Sequence, residues 1–151
     1  VQSATGNWLA ALKAYILVSI GTHLAWEILQ LPLYTIWSTG GPREIAFAVV
    51  HCTGGDAVIA ITALSLALVL VGNENWPDQS YGKVLFVTLL FGVSYAIFSE
   101  WLNVTVRGHW AYTPNMPTVP VLGTGLAPLI QWLLVPLAAL ASARHFAKIN
   151  R

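Results

Sequence analysis

The chain has 151 residues, of which 56% are hydrophobic and 9% charged, with a formal net charge of +1. A soluble domain carries about 45–50% apolar and about 25% charged residues, so this composition is that of a single-domain integral membrane protein. No basic patch is present, so no nucleic-acid partner is expected. The lone cysteine, Cys52, excludes an internal disulfide and a CxxC redox pair.

The polar start, Val1-Gln2-Ser3-Ala4-Thr5-Gly6, lacks the basic region of a signal peptide. Beyond it, four apolar runs each reach the roughly 20 residues a helix needs to cross a bilayer. They predict spans at about 8–33, 44–71, 83–103 and 119–142. Hydrocarbon cannot satisfy free backbone groups, and the chain lacks the alternating segments of a barrel. The expected fold is therefore an all-α, four-transmembrane-helix bundle occupying residues 1–151. The first connection, 35–43, carries Gly40-Gly41-Pro42 as a turn and helix start. The second, 72–82, is polar, and the third, 104–118, is the longest. Lys13, Lys83, Arg144, Lys148 and Arg151 fall on the side of the termini, against Arg43 and Arg107 opposite. That bias places both termini in the cytoplasm. The membrane is a bacterial inner membrane, or an endomembrane if the source is eukaryotic.

The first span carries Gly21-Thr22-His23-Leu24-Ala25-Trp26-Glu27-Ile28-Leu29-Gln30. Ionisable groups in hydrocarbon are costly and usually functional. His23, Glu27, Gln30 and Tyr34 share one helix face. At about 1.5 Å per residue, Glu27 lies roughly 8 Å and His23 roughly 14 Å from the non-terminal side. On the second span His51 lies about 10 Å and Asp56 about 18 Å deep, with Gly54 and Gly55 beside the acid. Glu100, five residues after Tyr95 and next to Trp101, lies roughly 5 Å from the end of the third span, and Gln131 about 18 Å into the fourth. All these groups occupy one half of the bilayer, over an apolar base at 57–71, 84–91 and 133–140. A through-going ion path would spread polar groups across the full thickness. One-sided clustering suits a pocket open to the non-cytoplasmic side or to lipid. His109, Trp110 and Tyr112 of the third connection come to the same mouth. Pro128 and Pro136 are expected to bend the last helix around Gln131 and Trp132. Plainer readings exist: His23 with Glu27 as a hydrogen-bonded helix link, and Tyr34, Trp101, Trp110 and Tyr112 as interfacial anchors.

Acids and histidines in a shielded pocket suit proton transfer. The candidate catalytic set is His23, Glu27, Asp56, Glu100 and His51. Trp26, Trp101, Trp110 and Trp132 are candidates to stabilise a carbocation. With Gln30, Tyr34, Tyr95, His109, Tyr112 and Gln131 they make up the expected substrate contacts. The implied substrate is a lipophilic small molecule, an alkene, sterol or isoprenoid, reaching the site from the bilayer. The implied reaction is an isomerase or cyclase type.

His23-Leu24-Ala25-Trp26-Glu27 on one span, Tyr95-Ala96-Ile97-Phe98-Ser99-Glu100 on a later one, and Gln131-Trp132-Leu133-Leu134-Val135-Pro136 on the last resemble the emopamil-binding family, the EXPERA-domain proteins that include sterol isomerases. The resemblance covers three of four helices in order. It implies a four-helix bundle in which His23 and Glu27 handle the proton, Glu100 is a second acid and Trp132 a cation-stabilising ring. The chain departs from that pattern at His51-Cys52-Thr53-Gly54-Gly55-Asp56, in having Gln131 where the family has Asn, and in its third connection. No cofactor is required by this reading. Two others stay open: haem b held by His23 and His51, or a transition metal held by His23, His51 and His109 with Glu27 and Asp56 nearby, and a non-catalytic lipid- or quinone-binding subunit. The oligomeric state stays open too.

Overall fold

The computed structural model describes residues 4–149. Val1, Gln2 and Ser3 of the polar start, and Arg151 of the charge count, lie outside the described residues. The helices are α1 (Ala4–Gln30), α2 (Ile36–Thr39), α3 (Pro42–Val71), α4 (Tyr81–Glu100) and α5 (Leu126–Ile149). A 3₁₀ turn at Leu31–Leu33 tightens the end of α1, and a π-helical turn at Trp101–Val106 prolongs α4. Among the described residues there is no strand, only isolated bridges pairing Tyr34 with Tyr112 and Thr118 with Gly125.

Four of these helical stretches are long and apolar enough to cross a membrane. They are apolar all round, as a helix solvated by hydrocarbon is: Leu17 is 71% exposed, Phe86 65% and Val69 84%. α1 packs on α3 and α5, and α4 packs on the same two, so the long helices close a ring in chain order. Trp8 meets Trp76 edge-on at 5.3 Å, and the Arg144 guanidinium lies 4.7 Å over the Tyr81 ring. The start of α1, the 72–80 connection and the end of α5 therefore share one end of the bundle. At the other end the Thr35 N–H donates to the Ala111 carbonyl and the Thr113 N–H to the Leu33 carbonyl, both at 2.9 Å. These bonds tie the first connection to the third and leave a loop-rich end.

The half nearer the termini is the packed one. Tyr15, Ala60, Leu64, Ala67, Val84, Ala139, Leu140 and Ala143 are buried in a single apolar core. Its small residues let backbones approach closely, and the Tyr15 hydroxyl donates to the Ala60 carbonyl at 3.1 Å.

Span boundaries differ from the expectation in one large respect. The last helix runs from Leu126 to Ile149, starting and ending seven residues later than the expected 119–142. Residues 119–125 are apolar but turn: Val121 has φ 72° and Gly123 φ 66°, and the Val119 N–H donates to the Thr124 carbonyl at 2.9 Å. At the far end Ala143 and Ala147 remain buried, so packing carries the helix past the apolar run into its basic last turns. The second and third spans lengthen only slightly, to Pro42–Val71 and Tyr81–Val106. Pro128 lies in the first turn of α5, where no N–H is required, whereas Pro136 denies the Trp132 carbonyl its usual helical donor.

Candidate functional site

At the loop-rich end, one amide gathers three helices. Gln131, 2% exposed on α5, places Nε2 at 2.9 Å from His23 Nδ1 and at 3.0 Å from both Glu27 Oε1 and Asp56 Oδ2. Gln30 adds a second amide, donating to Glu27 Oε1 at 2.8 Å and to Gln131 Oε1 at 3.4 Å. His23 Nδ1 lies 3.3 Å from Asp56 Oδ2. An amide nitrogen has two hydrogens and cannot serve three acceptors. The count closes when His23 carries its hydrogen on Nδ1 and gives it to Asp56, leaving the Gln131 hydrogens for the two carboxylates. Nε2 then holds only a lone pair, in keeping with its having no hydrogen-bond partner among the described residues. The ring is fully buried, with its centroid 5.0 Å from that of Trp132.

A third acid sits apart from this network. Glu100, at the last turn of α4, is 7% exposed. Its Oε2 accepts from the hydroxyl of Tyr112 in a short hydrogen bond and from that of Tyr34 at 3.4 Å. The bridge between Tyr34 and Tyr112 sets their rings 5.5 Å apart over the carboxyl. The Gly125 N–H donates to the Tyr112 hydroxyl at 2.9 Å, fixing it from behind. Burial first, and the adjacent Glu100 carboxylate with it, pushes both phenols above their ordinary range. Both therefore remain donors through neutral pH. Directly after Glu100 the helix widens into its π-helical turn, where the Arg107 N–H donates to the Leu102 carbonyl at 2.8 Å; such turns recur at functional sites.

Both acid centres line one cavity of about 1110 Å³. Glu27, Gln30, Tyr34, Asp56, Glu100, Gln131 and Trp132 form its interior wall, and Phe47, His51, Cys52, Tyr95 and Ser99 its flank on α3 and α4. Thr39, Arg43, Glu44, Arg107, His109 and Trp110 stand at the mouth.

Of the residues expected in a shared site, the structure brings together His23, Glu27, Gln30, Asp56 and Gln131, and separately Tyr34, Glu100 and Tyr112. His23 touches the network from behind and is not part of the cavity wall. His51 stands away from His23: it is exposed and stacked on Phe47 at 5.4 Å. Its rotation about α3 turns it toward the flank, beside Phe47. Trp26 and Trp101 do not line the cavity, and Trp101 is 49% exposed. Tyr112 is also outside the wall and acts on Glu100 instead. His109 and Tyr95 line the cavity but are exposed, while Trp110 is half-buried beside Glu100. Among the described residues, no group of three or more His, Cys, Asp or Glu side chains is placed to hold a metal ion. His23 is not in the cavity wall, and His51, which is, stacks on Phe47 instead, so the pair expected to hold a haem is not brought together around this cavity.

Arg43 and Arg107 lining the mouth were not foreseen. In the sequence they stood out only as the basic residues on the non-terminal side. Compared with protein-family models, with curated proteins and with solved structures, the chain matches none of them.

Proposed function

We propose that the chain is a membrane-embedded enzyme that moves a proton on a lipophilic, isoprenoid- or sterol-like substrate. The observation that carries this reading is the pair of acid centres in the wall of one cavity: Glu27 and Asp56 held by amides and an imidazole, Glu100 held by two phenols. Acids placed in contrasting surroundings are how one site supplies both a proton donor and a proton acceptor.

In the proposed reaction one centre adds a proton to a carbon–carbon double bond, and the other removes a proton from a neighbouring carbon. The double bond shifts and no atom is gained or lost. Glu27 and Asp56 face the cavity and touch the substrate; His23 orients Asp56 through its Nδ1 hydrogen. Glu100 is the second centre, with Tyr34 and Tyr112 holding its oxygen. Trp132 and Trp110 line the cavity where a cationic carbon would form. The resemblance of the helix motifs to the emopamil-binding family implies the same division of roles for His23, Glu27, Glu100 and Trp132. The bundle is proposed to sit with both termini in the cytoplasm, since Lys13, Lys83, Arg144 and Lys148 lie toward the terminal end. The cavity then opens to the opposite side.

A second reading, a lipid- or quinone-binding subunit without turnover, draws on the hydrogen bonds each of these acids already makes, which a purely structural network would also show. Deuterium separates the two. The protein in nanodiscs, supplied with a lipid extract of its source membrane in D₂O, is expected to place deuterium on carbon in an isoprenoid or sterol, read by mass spectrometry. Folded Glu27→Gln and Asp56→Asn variants are expected to slow incorporation by about 10²–10⁴-fold, the usual contribution of a general acid or base. Incorporation at the unmodified rate in both variants would sink the enzyme reading.

A further inference from the structure

The cavity segregates its charge. The groups at depth are acids, Glu27, Asp56 and Glu100, each engaged by amide, imidazole or phenol donors. No lysine or arginine lines that depth. At the mouth stand Arg43, from the first turn of α3, and Arg107, from just past the π-helical turn. Both are exposed, and neither forms an ion pair among the described residues. The one acid at the mouth, Glu44, accepts from the Gly41 N–H at 2.8 Å and so serves the start of its own helix. Two segments far apart in sequence thus bring their arginines to one opening, neither in an ion pair among the described residues.

Guanidinium groups recognise planar or tetrahedral oxyanions through paired N–H donors. The depth holds three acids and no cation, so the arginines at the mouth are the better place for an anion. The cavity, at about 1110 Å³, has room for a ligand at or above the upper end of the roughly 300–1,000 Å³ usual for drug-sized ligands. Its flank, with Phe47, His51 and Tyr95, is exposed on the outward face of α3 and α4, which gives an apolar chain a path along the helices.

We infer that the ligand is an amphiphile whose phosphate or carboxylate head is held by Arg43 and Arg107 at the mouth, with its apolar chain extending past the acid centres. This deepens the proposed function and rests on the same cavity being the substrate site. Charge segregation fixes the orientation: head at the loop-rich end, reactive carbons within.

Binding to the full chain in phosphatidylcholine nanodiscs tests the inference with three probes: farnesyl phosphate, farnesol and inorganic phosphate. Farnesyl phosphate is expected to bind about tenfold or more tightly than farnesol, the scale of one charge-assisted contact. Arg43→Gln and Arg107→Gln should each remove most of that advantage while leaving farnesol binding and the unfolding midpoint unchanged. Arg43→Lys and Arg107→Lys should keep part of it, and Arg144→Gln, at the opposite end, should keep all of it. Equal affinity for farnesyl phosphate and farnesol would overturn the inference, as would an advantage that survives both arginine-to-glutamine changes. Displacement of farnesyl phosphate by inorganic phosphate at matching concentration would also overturn it, because the chain would then contribute nothing. The two readings fail separately. Head-dependent binding without deuterium transfer defeats only the enzyme; deuterium transfer to neutral lipids without head discrimination defeats only this inference.

Discussion

Replacing Gln131 by leucine tests the hydrogen count at the centre of the bundle. Leucine fills a similar volume and removes both amide hydrogens and the carbonyl. Glu27 Oε1 and Asp56 Oδ2 each lose a donor at 3.0 Å, and the Gln30 amide loses its 3.4 Å acceptor. Hydrogen bonds between membrane helices average about 0.6 kcal/mol and reach about 1.7, so two donated bonds give about 1–3 kcal/mol. A dry interior would raise this, since each orphaned acceptor costs about 1–3 kcal/mol. Glu27 and Asp56 border the cavity, however, and solvent there softens the loss. The assay is reversible unfolding in mixed micelles with increasing dodecyl sulfate, repeated as a double-mutant cycle. Gln131→Leu with Asp56→Asn is expected to couple by at least about 0.5 kcal/mol, as residues in one network do. Gln131→Leu with Tyr112→Phe should be additive, because the Glu100 centre shares no hydrogen bond with the amide. A stability change near zero, or additivity in the first cycle, would refute the assignment of Gln131 as the shared donor.

At Gly92, an added Cβ would fall 2.5 Å from Trp132 Cε3, so Gly92→Ala must displace the indole. Overpacking of this kind costs about 1–3 kcal/mol, and because Trp132 lines the cavity, ligand affinity should fall with stability; an unchanged unfolding midpoint would count against the close contact. Tyr34 and Tyr112 supply a pH test outside the spans. Both phenols are raised in the folded protein, so above the ordinary tyrosine value of about 10 the unfolded chain sheds protons that the native state keeps. Stability is therefore full below about pH 10 and falls as pH climbs beyond it. Tyr112→Phe should flatten that fall, and tyrosinate absorbance of the folded protein, compared with Tyr34→Phe and Tyr112→Phe, should show that neither of these two phenols ionises at pH 10. If all the tyrosines ionise together at their ordinary value, the proposed clamp on Glu100 is wrong.

The helices were readable because their apolar runs are long and because buried polar residues recur at helical spacing. His23 and Glu27, four apart, and Asp56 on another helix could be placed at similar depth by rise alone. Their meeting at Gln131 could not, since rotation of each helix about its axis is set by packing. The same blindness explains His51: depth put it level with the network, and rotation turned it to the flank beside Phe47. Ends were the weaker part. Residues 119–125 are apolar enough to be read as helix, yet Val121 and Gly123 take left-handed conformations that the hydrophobic pattern does not encode. Tyr112 was placed near the mouth, but its role in holding Glu100 depends on the pairing of residues 33–35 with 111–113, a contact between distant segments that no local pattern announces.

That pairing bears on how the site tolerates its own composition. Three carboxyls at one end of a membrane bundle would repel one another and resist burial if each faced apolar surroundings. They are held instead by donors from every quarter: amides from α1 and α5, an imidazole from α1, and phenols delivered by the connections on either side. Stability is supplied elsewhere, by the apolar half where Ala60, Ala67, Ala139 and Ala143 are buried. The third connection is accordingly part of the site rather than a link between helices. Cutting its ties at Thr35 and Thr113 would free Glu100 while leaving the packed half of the bundle intact.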